Sequence, residues 1–234
     1  HYNQFMPSDT PIIKSFHDVY FSYSHIFILF LYWPILRNKF VFKRVYLVLH
    51  RLIMEKLEFK GTLIPIGGNE DKGSGPNEMY THDFIQQGIL ANVVKESGGN
   101  KAQIVVITTA SRIPIEVGDN YLQAFGTLGC ESIHIMDIRS RDEAQTSNNL
   151  KLIENADCLM FSGGDQSEIV KQIGQTKMHE LLFRKLYESN FVLAGTSAGA
   201  MCMSHEMISG GSSPDALRKG NLKMKTGMGF VTHA

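Results

Sequence analysis

The chain has 234 residues, enough for one sizeable domain with or without an appendage. Its 23 basic and 23 acidic side chains balance, which argues against a nucleic-acid-binding protein. The three cysteines, Cys130, Cys158 and Cys202, are odd in number and have no CxxC spacing. This pattern argues against a disulfide framework or a zinc site, and it indicates small core residues in a reducing, cytoplasmic compartment.

Residues 1–53 differ in composition from the rest of the chain. They hold six basic side chains, two acidic ones and 13 of the 23 aromatic residues. An uncharged stretch of 18 residues, 19–36, is at the lower limit for a membrane span. Three interpretations stay open: a translated region upstream of the functional protein, a membrane-proximal anchor, or a structural extension. We expect residues 1–53 to lie outside the fold and residues 54–234 to form the folded domain.

After residue 57, short apolar runs alternate with segments of helical periodicity. The runs predict strands over 62–66, 103–108, 132–136, 157–161 and 191–194, and the periodic segments predict helices over 84–94, 117–127, 148–155, 166–173 and 177–187. Such alternation with short connections is typical of βαβ units. The sequence therefore predicts an α/β fold with a doubly wound, mostly parallel sheet and helices on both faces.

The last of these apolar runs leads directly into GTSAGA, which has the GxSxG pattern. Small neighbours permit a tight strand-to-helix turn, which would present the hydroxyl of Ser197 to solvent. The amide N–H of Ala198 would then stand at a helix start, where it can donate to an oxyanion. An ordinary buried strand followed by a small turn and a helix is the alternative.

Three further loops leave the carboxyl ends of predicted strands, where ligands bind in open parallel sheets. They read GGNEDKGSG (67–75), TTASR (108–112) and FSGGDQ (161–166). The pair Gly163 and Gly164 could supply a second oxyanion donor, and Gln166 could bind a substrate amide. The first loop has no GKS or GKT and carries acidic residues, so a phosphate loop is not expected. Its charges, Glu70 to Lys72, can equally be solvated, and Arg112 can be an ordinary surface arginine.

A serine nucleophile needs a base, and no histidine of the chain is assigned this role. His205 is expected on the same helix as Ser197, roughly 12 Å further along at 1.5 Å per residue. His82 and His179 fall in or beside predicted surface helices and are expected to be solvated. His233 is one residue from the end of the chain.

The motifs GGNEDK, TTASR, FSGGDQ, GTSAGA and ISGGSS (208–213), in this order, resemble those of cyanophycinase. This serine peptidase family also includes the aspartyl dipeptidases of the peptidase E type. The resemblance runs from about Gly61 to Phe230. It implies a fold akin to the class I glutamine amidotransferases and hydrolysis of cyanophycin, multi-L-arginyl-poly-L-aspartate, to β-aspartyl-arginine dipeptides. By position it implies Ser197 as nucleophile, the amides of Gly164 and Ala198 as oxyanion donors and Gln166 as a substrate contact, with no metal or organic cofactor.

The family's histidine belongs to a DQHF motif that follows a GLG-type segment. Here GMGF (227–230) is followed by only four residues, so we expect the chain to be truncated at its C-terminus, without the histidine and the glutamate of the triad, and to be inactive or nearly so. His233 belongs to the preceding segment and is not the base. The resemblance also implies a homodimer, and no membrane contact is expected unless residues 19–36 form an anchor.

Two alternatives remain, an aspartyl dipeptidase of the peptidase E type and a non-catalytic binding module of the same fold. An α/β-hydrolase is less favoured, because its acid and histidine must both follow the serine and only 37 residues do.

Overall fold

The computed structural model describes residues 59–74, 78–210 and 223–231, with the backbone alone for 78–82 and 210. The predictions for residues 1–53, for the side chain of His82 and for His233 lie outside the described residues. Within the described ranges, none of the helices combines the length and the apolar character that crossing a bilayer requires.

Five parallel strands alternate with helices. In chain order the elements are β1 (Thr62–Ile66), α1 (Glu78–Gln87), α2 (Ile89–Glu96), β2 (Gln103–Ile107), α3 (Pro114–Thr127), β3 (Ser132–Met136), α4 (Ser147–Asn155), β4 (Cys158–Phe161), α5 (Gln166–Ile173), α6 (Lys177–Glu188), β5 (Val192–Thr196) and α7 (Ala198–Met201). A short 3-10 helix, Glu143–Gln145, precedes α4. The strand order is β1-β5-β4-β2-β3, and every pairing is parallel. The predicted α/β fold is confirmed.

The central strands are buried on both faces. In β4, Leu159 and Phe161 lie in one hydrophobic cluster, whereas Cys158 and Met160 lie in the other, and all four side chains are fully buried. A parallel sheet that helices cover on both sides needs apolar residues at every position of its inner strands. This explains why the strand sequences are continuous apolar runs rather than alternating ones.

Two helix predictions were wrong in detail. The segment predicted as one helix over 84–94 is two helices, because the chain is extended at Gly88 (φ −60°, ψ 151°) between α1 and α2. The helix that follows Ser197 ends at Met201, so His205 is not on it. The hydroxyl of Ser204 donates to the carbonyl of Met201 (2.8 Å), and the amide of His205 donates to Val231 (2.9 Å), so the chain leaves the helix to pair with a distant segment.

An antiparallel pair of strands follows α7, comprising β6 (Glu206–Gly210) and β7 (Lys223–Thr226). After β7 the chain returns to the segment that follows α7. Gly227 donates to His205 (2.8 Å), and Ser204 forms a parallel bridge with Val231. The GMGF segment is thereby attached to the residues that directly follow α7.

Candidate active site

Four loops meet at one edge of the sheet. Because β1, β5, β4 and β2 are successive neighbours, the segments that follow them lie side by side. A Cβ atom placed on Gly68 would lie 3.2 Å from the Cβ of Ser197, and one on Gly163 would lie 3.6 Å from it. The amide of Asp165 donates to the carbonyl of Ala110 (2.9 Å). The three glycine-bearing or polar loops noted in the sequence are therefore in contact with the Ser197 turn or with one another.

Ser197 occupies a backbone conformation that is rare for a residue with a side chain. Its φ is 51° and its ψ is −110°, between the last residue of β5 and the first of α7. Its amide donates to the carbonyl of Ile66 (2.9 Å), and its carbonyl accepts from Ala200 and Met201. The side chain is exposed. The turn thus directs the hydroxyl away from the core, and strain of this kind commonly marks functional sites.

The glycines of the GxSxG pattern are required by close packing. A Cβ on Gly195 would lie 2.5 Å from the carbonyl oxygen of Gly199, and a Cβ on Gly199 would lie 2.4 Å from that of Phe161. These distances are shorter than any normal contact, so the helix can pass this close to β4 and β5 only without side chains at both positions. The steric reason given for the pattern in the sequence therefore applies in the structure.

Two backbone amides near Ser197 have no acceptor among the described residues. Ala198 is buried at the first position of α7, and Gly164 has a φ of 141° in the loop after β4. Neither amide donates to another residue of the described ranges. An oxyanion hole needs free amide donors of this kind, and the role of these two amides in one stays a prediction.

Gln166 begins α5 and contacts the β6–β7 pair. Asp165 caps this helix by accepting a hydrogen bond from the amide of Ser167 (2.8 Å). The side-chain nitrogen of Gln166 donates to the carbonyl of Ile208 (2.5 Å), and only 9% of the residue is exposed. A ligand contact that keeps this bond can use the second N–H of the side-chain amide or the Oε1 atom of Gln166. Its role in substrate binding stays a prediction.

Glu70 is buried, so the alternative that it is a solvated loop charge does not hold. Only 6% of the residue is exposed, and its carboxylate accepts hydrogen bonds from the hydroxyl of Tyr121 (2.6 Å) and from the hydroxyl of Thr196. Lys72 forms an ion pair with it (3.0 Å). The sequence signal for a buried polar partner such as Glu70 lies in two polar residues at otherwise apolar positions. These are Tyr121 on the buried face of α3 and Thr196 at the end of a buried strand.

Hydrogen bonding keeps the Glu70 carboxyl ionised. Burial by itself raises its pKa, but the bonds from Thr196, Tyr121 and Lys72 outweigh burial, and the pKa lies below its ordinary value. The pKa of Tyr121 is raised, first by burial and then by the neighbouring carboxylate. Tyr121 therefore remains a hydrogen-bond donor, and the negative charge stays on Glu70.

His179 is not solvated, contrary to the expectation from its surface helix. It is 5% exposed and packs against the rings of Phe183 and Phe230. Its Nδ1 accepts from the amide of Gln175 (2.9 Å), so Nε2 carries the proton that is donated to Met228 (2.9 Å). Burial lowers the pKa of His179 to about 4, although the Met228 carbonyl favours the protonated form. His179 is a neutral core residue, and no histidine of the described ranges hydrogen-bonds to Ser197.

The cysteines and acidic residues of the described ranges form no metal site. No group of three or more His, Cys, Asp and Glu side chains there is arranged to hold an ion. Cys158 and Cys202 are buried free thiols, as expected, whereas Cys130 is half-buried. Burial raises the pKa of all three thiols, to about 12 for Cys158, which keeps them protonated and unreactive.

Comparison with known protein families identifies the family of the chain. The model of peptidase family S51 matches residues 76–234. The chain belongs to peptidase family S51. The cyanophycinase of Trichormus variabilis is 33% identical over 172 residues, which are 74% of this chain and 54% of that protein. The cyanophycinase of Geminocystis herdmanii is 30% identical over 176 residues, or 75% of this chain and 61% of that protein. The resemblance expected from the motifs is confirmed.

The fold of this chain is also found among solved structures. A peptidase from an acI-B1 Actinobacterium superposes with a TM-score of 0.53 at 21% identity, covering 73% of this chain and 64% of that one. The S51 chain described here spans about half the length of the curated relatives that it matches.

Proposed function

We propose that the protein is a serine-type exopeptidase that hydrolyses cyanophycin to β-aspartyl-arginine dipeptides. The observation that carries the proposal is the exposed hydroxyl of Ser197 on a strained strand-to-helix turn, with two glycine-rich loops packed beside it. Membership of family S51 and the cyanophycinase names of the relatives support the choice of reaction and substrate.

In the proposed mechanism the Ser197 oxygen attacks the carbonyl carbon of the scissile peptide bond. The amides of Gly164 and Ala198 donate to the oxygen of the tetrahedral intermediate, whose negative charge they stabilise. A base from outside the described residues accepts the hydroxyl proton and returns it to the leaving amine. Water then hydrolyses the resulting ester and regenerates Ser197. Removing one oxyanion donor lowers kcat by about 10²–10³-fold in enzymes of this kind, so the two amides are expected to contribute a large part of the rate enhancement.

The test uses the protein expressed from its complete reading frame. Incubation with cyanophycin should release β-aspartyl-arginine, measured by mass spectrometry, and Ser197→Ala should abolish the release while the melting temperature changes little, because the Ser197 side chain is exposed. Ser189→Ala is the matched control. It removes an exposed serine hydroxyl where the chain enters β5, at the opposite end of the sheet, and should leave turnover unchanged.

Retained turnover in Ser197→Ala would remove this residue from the proposed role. Hydrolysis of short aspartyl dipeptides without release from the polymer would instead identify a dipeptidase of the peptidase E type. Binding of the polymer without hydrolysis by the unsubstituted protein would identify a binding module. The two latter results would each overturn the proposed substrate or activity.

A further inference from the structure

The segment 66–72, which begins with the last residue of β1, contacts the Ser197 turn at three points. The carbonyl of Ile66 accepts the amide of Ser197 (2.9 Å), and the backbone of Gly68 lies against the Ser197 side chain. The carboxylate of Glu70 accepts the hydroxyl of Thr196, the residue directly before Ser197. The first two contacts act through the main chain, whereas the third depends on side chains that can be replaced without altering the backbone.

The Glu70 carboxylate is saturated with partners and closed to solvent. One oxygen accepts from Tyr121 (2.6 Å) and pairs with Lys72 (3.0 Å), and the other accepts from Thr196. Its side chain is 1% exposed, compared with 27% for Lys72. The carboxylate therefore cannot reach a substrate, and any effect on chemistry must pass through the groups that it holds.

Burying the charge of Glu70 costs free energy, and a neutral side chain of similar size could also accept hydrogen bonds from the Tyr121 and Thr196 hydroxyls. The charge therefore calls for a reason. Hydrogen bonds to an ionised acceptor are shorter and roughly twice as strong as neutral ones, so they fix their donors more firmly. Thr196 is 4% exposed and is the last residue of β5, and the turn that follows it has a φ of 51° at Ser197. A strained turn persists only where its surroundings hold it in place. The carboxylate of Glu70 therefore holds the residue that directly precedes the strained Ser197.

We propose that Glu70 is a positioning residue for Ser197, which acts by holding the Thr196 hydroxyl and thereby the turn in the geometry that presents the nucleophile. This inference rests on the proposed role of Ser197. Tyr121 and Lys72 support the carboxylate from the side opposite to Thr196, so their contribution is indirect.

The test compares variants by kcat and KM on cyanophycin and by the rate at which phenylmethylsulfonyl fluoride modifies Ser197. Glu70→Gln keeps the size of the side chain but removes the charge and one acceptor. We expect kcat and the sulfonylation rate to fall by about tenfold or more, equivalent to about 1.4 kcal/mol, with KM within about twofold. Substrate binding is unaffected because Glu70 does not face the substrate.

Thr196→Val and Thr196→Ser form a matched pair that does not depend on whether Glu70→Gln folds. Valine has the shape of threonine without its hydroxyl, so it should reproduce the loss of kcat and of sulfonylation rate. Serine retains the hydroxyl and should keep both rates within about twofold of the unsubstituted protein.

The outcomes separate this inference from the proposed function. If Ser197 is not sulfonylated in the unsubstituted protein and no peptide is released, both fail. If Ser197 reacts but Glu70→Gln and Thr196→Val react at the unsubstituted rate, Glu70 has no positioning role. A lowered melting temperature of these variants with unchanged kcat would also overturn the inference, because Glu70 would then contribute only to the stability of the fold.

Discussion

Replacing Ser197 by glycine is expected to stabilise the protein while removing its candidate nucleophile. Ser197 has a φ of 51° and a ψ of −110°, and its side chain is exposed, so the substitution relieves strain and removes no buried contact. Residues in such sparsely populated regions cost about 1–3 kcal/mol. The greater freedom of glycine in the unfolded chain offsets about 0.4–1 kcal/mol of the gain. Relative to Ser197→Ala, which keeps the Cβ atom, we expect a net gain of about 1–2 kcal/mol.

Thermal denaturation of the two variants measures this difference. For a domain of this size each kcal/mol corresponds to about 2–4 °C, so Ser197→Gly should melt about 2–8 °C above Ser197→Ala. Ser189 supplies the control because it is also exposed and has an extended backbone with a φ of −139°. There glycine should be the less stable of the two replacements. Equal melting temperatures at Ser197, or a higher one for alanine, would show that the turn is not strained and would refute the reasoning.

Gly164→Ala should destabilise the protein by about 3 kcal/mol or more, because φ is 141° and the new Cβ would lie 2.0 Å from the carbonyl oxygen of Ala110. Gly163→Ala, whose Cβ would be 3.6 Å from Ser197, should stay within about 1 kcal/mol, and similar urea midpoints for the two would contradict the geometry. The pKa of His179 is about 4 in the folded protein, against an ordinary value of 6.5. Between these two pH values the unfolded chain carries a proton on this histidine and the folded protein does not. The free energy of unfolding therefore falls by up to about 3 kcal/mol as the pH falls through this window. His179→Gln should reduce the slope of unfolding free energy against pH there, whereas exposed His134→Gln should not, and equal slopes would show that His179 is not buried in its neutral form.

Local patterns were sufficient to predict the layers of the fold and the place of the turn. The runs that became β4 and β5 are apolar at successive positions because both of their faces are covered, and this is visible without knowing what covers them. The requirement for glycine at position 195 is likewise local, since a Cβ atom there would clash with the carbonyl oxygen of Gly199, four residues later in the chain. These features depend on neighbours in sequence, and the amino-acid sequence by itself determined them.

The surroundings of the turn depend on residues far apart in the chain. Glu70 meets Thr196 across 126 positions and Tyr121 across 51, so a charged residue in a glycine-rich loop gave no local sign that it would be buried. His179 can be buried because the carbonyl of Met228, 49 positions later, accepts a hydrogen bond from its ring, and α7 ends at Met201 because the following residues pair with residues 227–231. A hydrogen bond satisfies a buried polar group whatever the sequence separation of its partner, so only the tertiary structure decided which of these side chains would be buried.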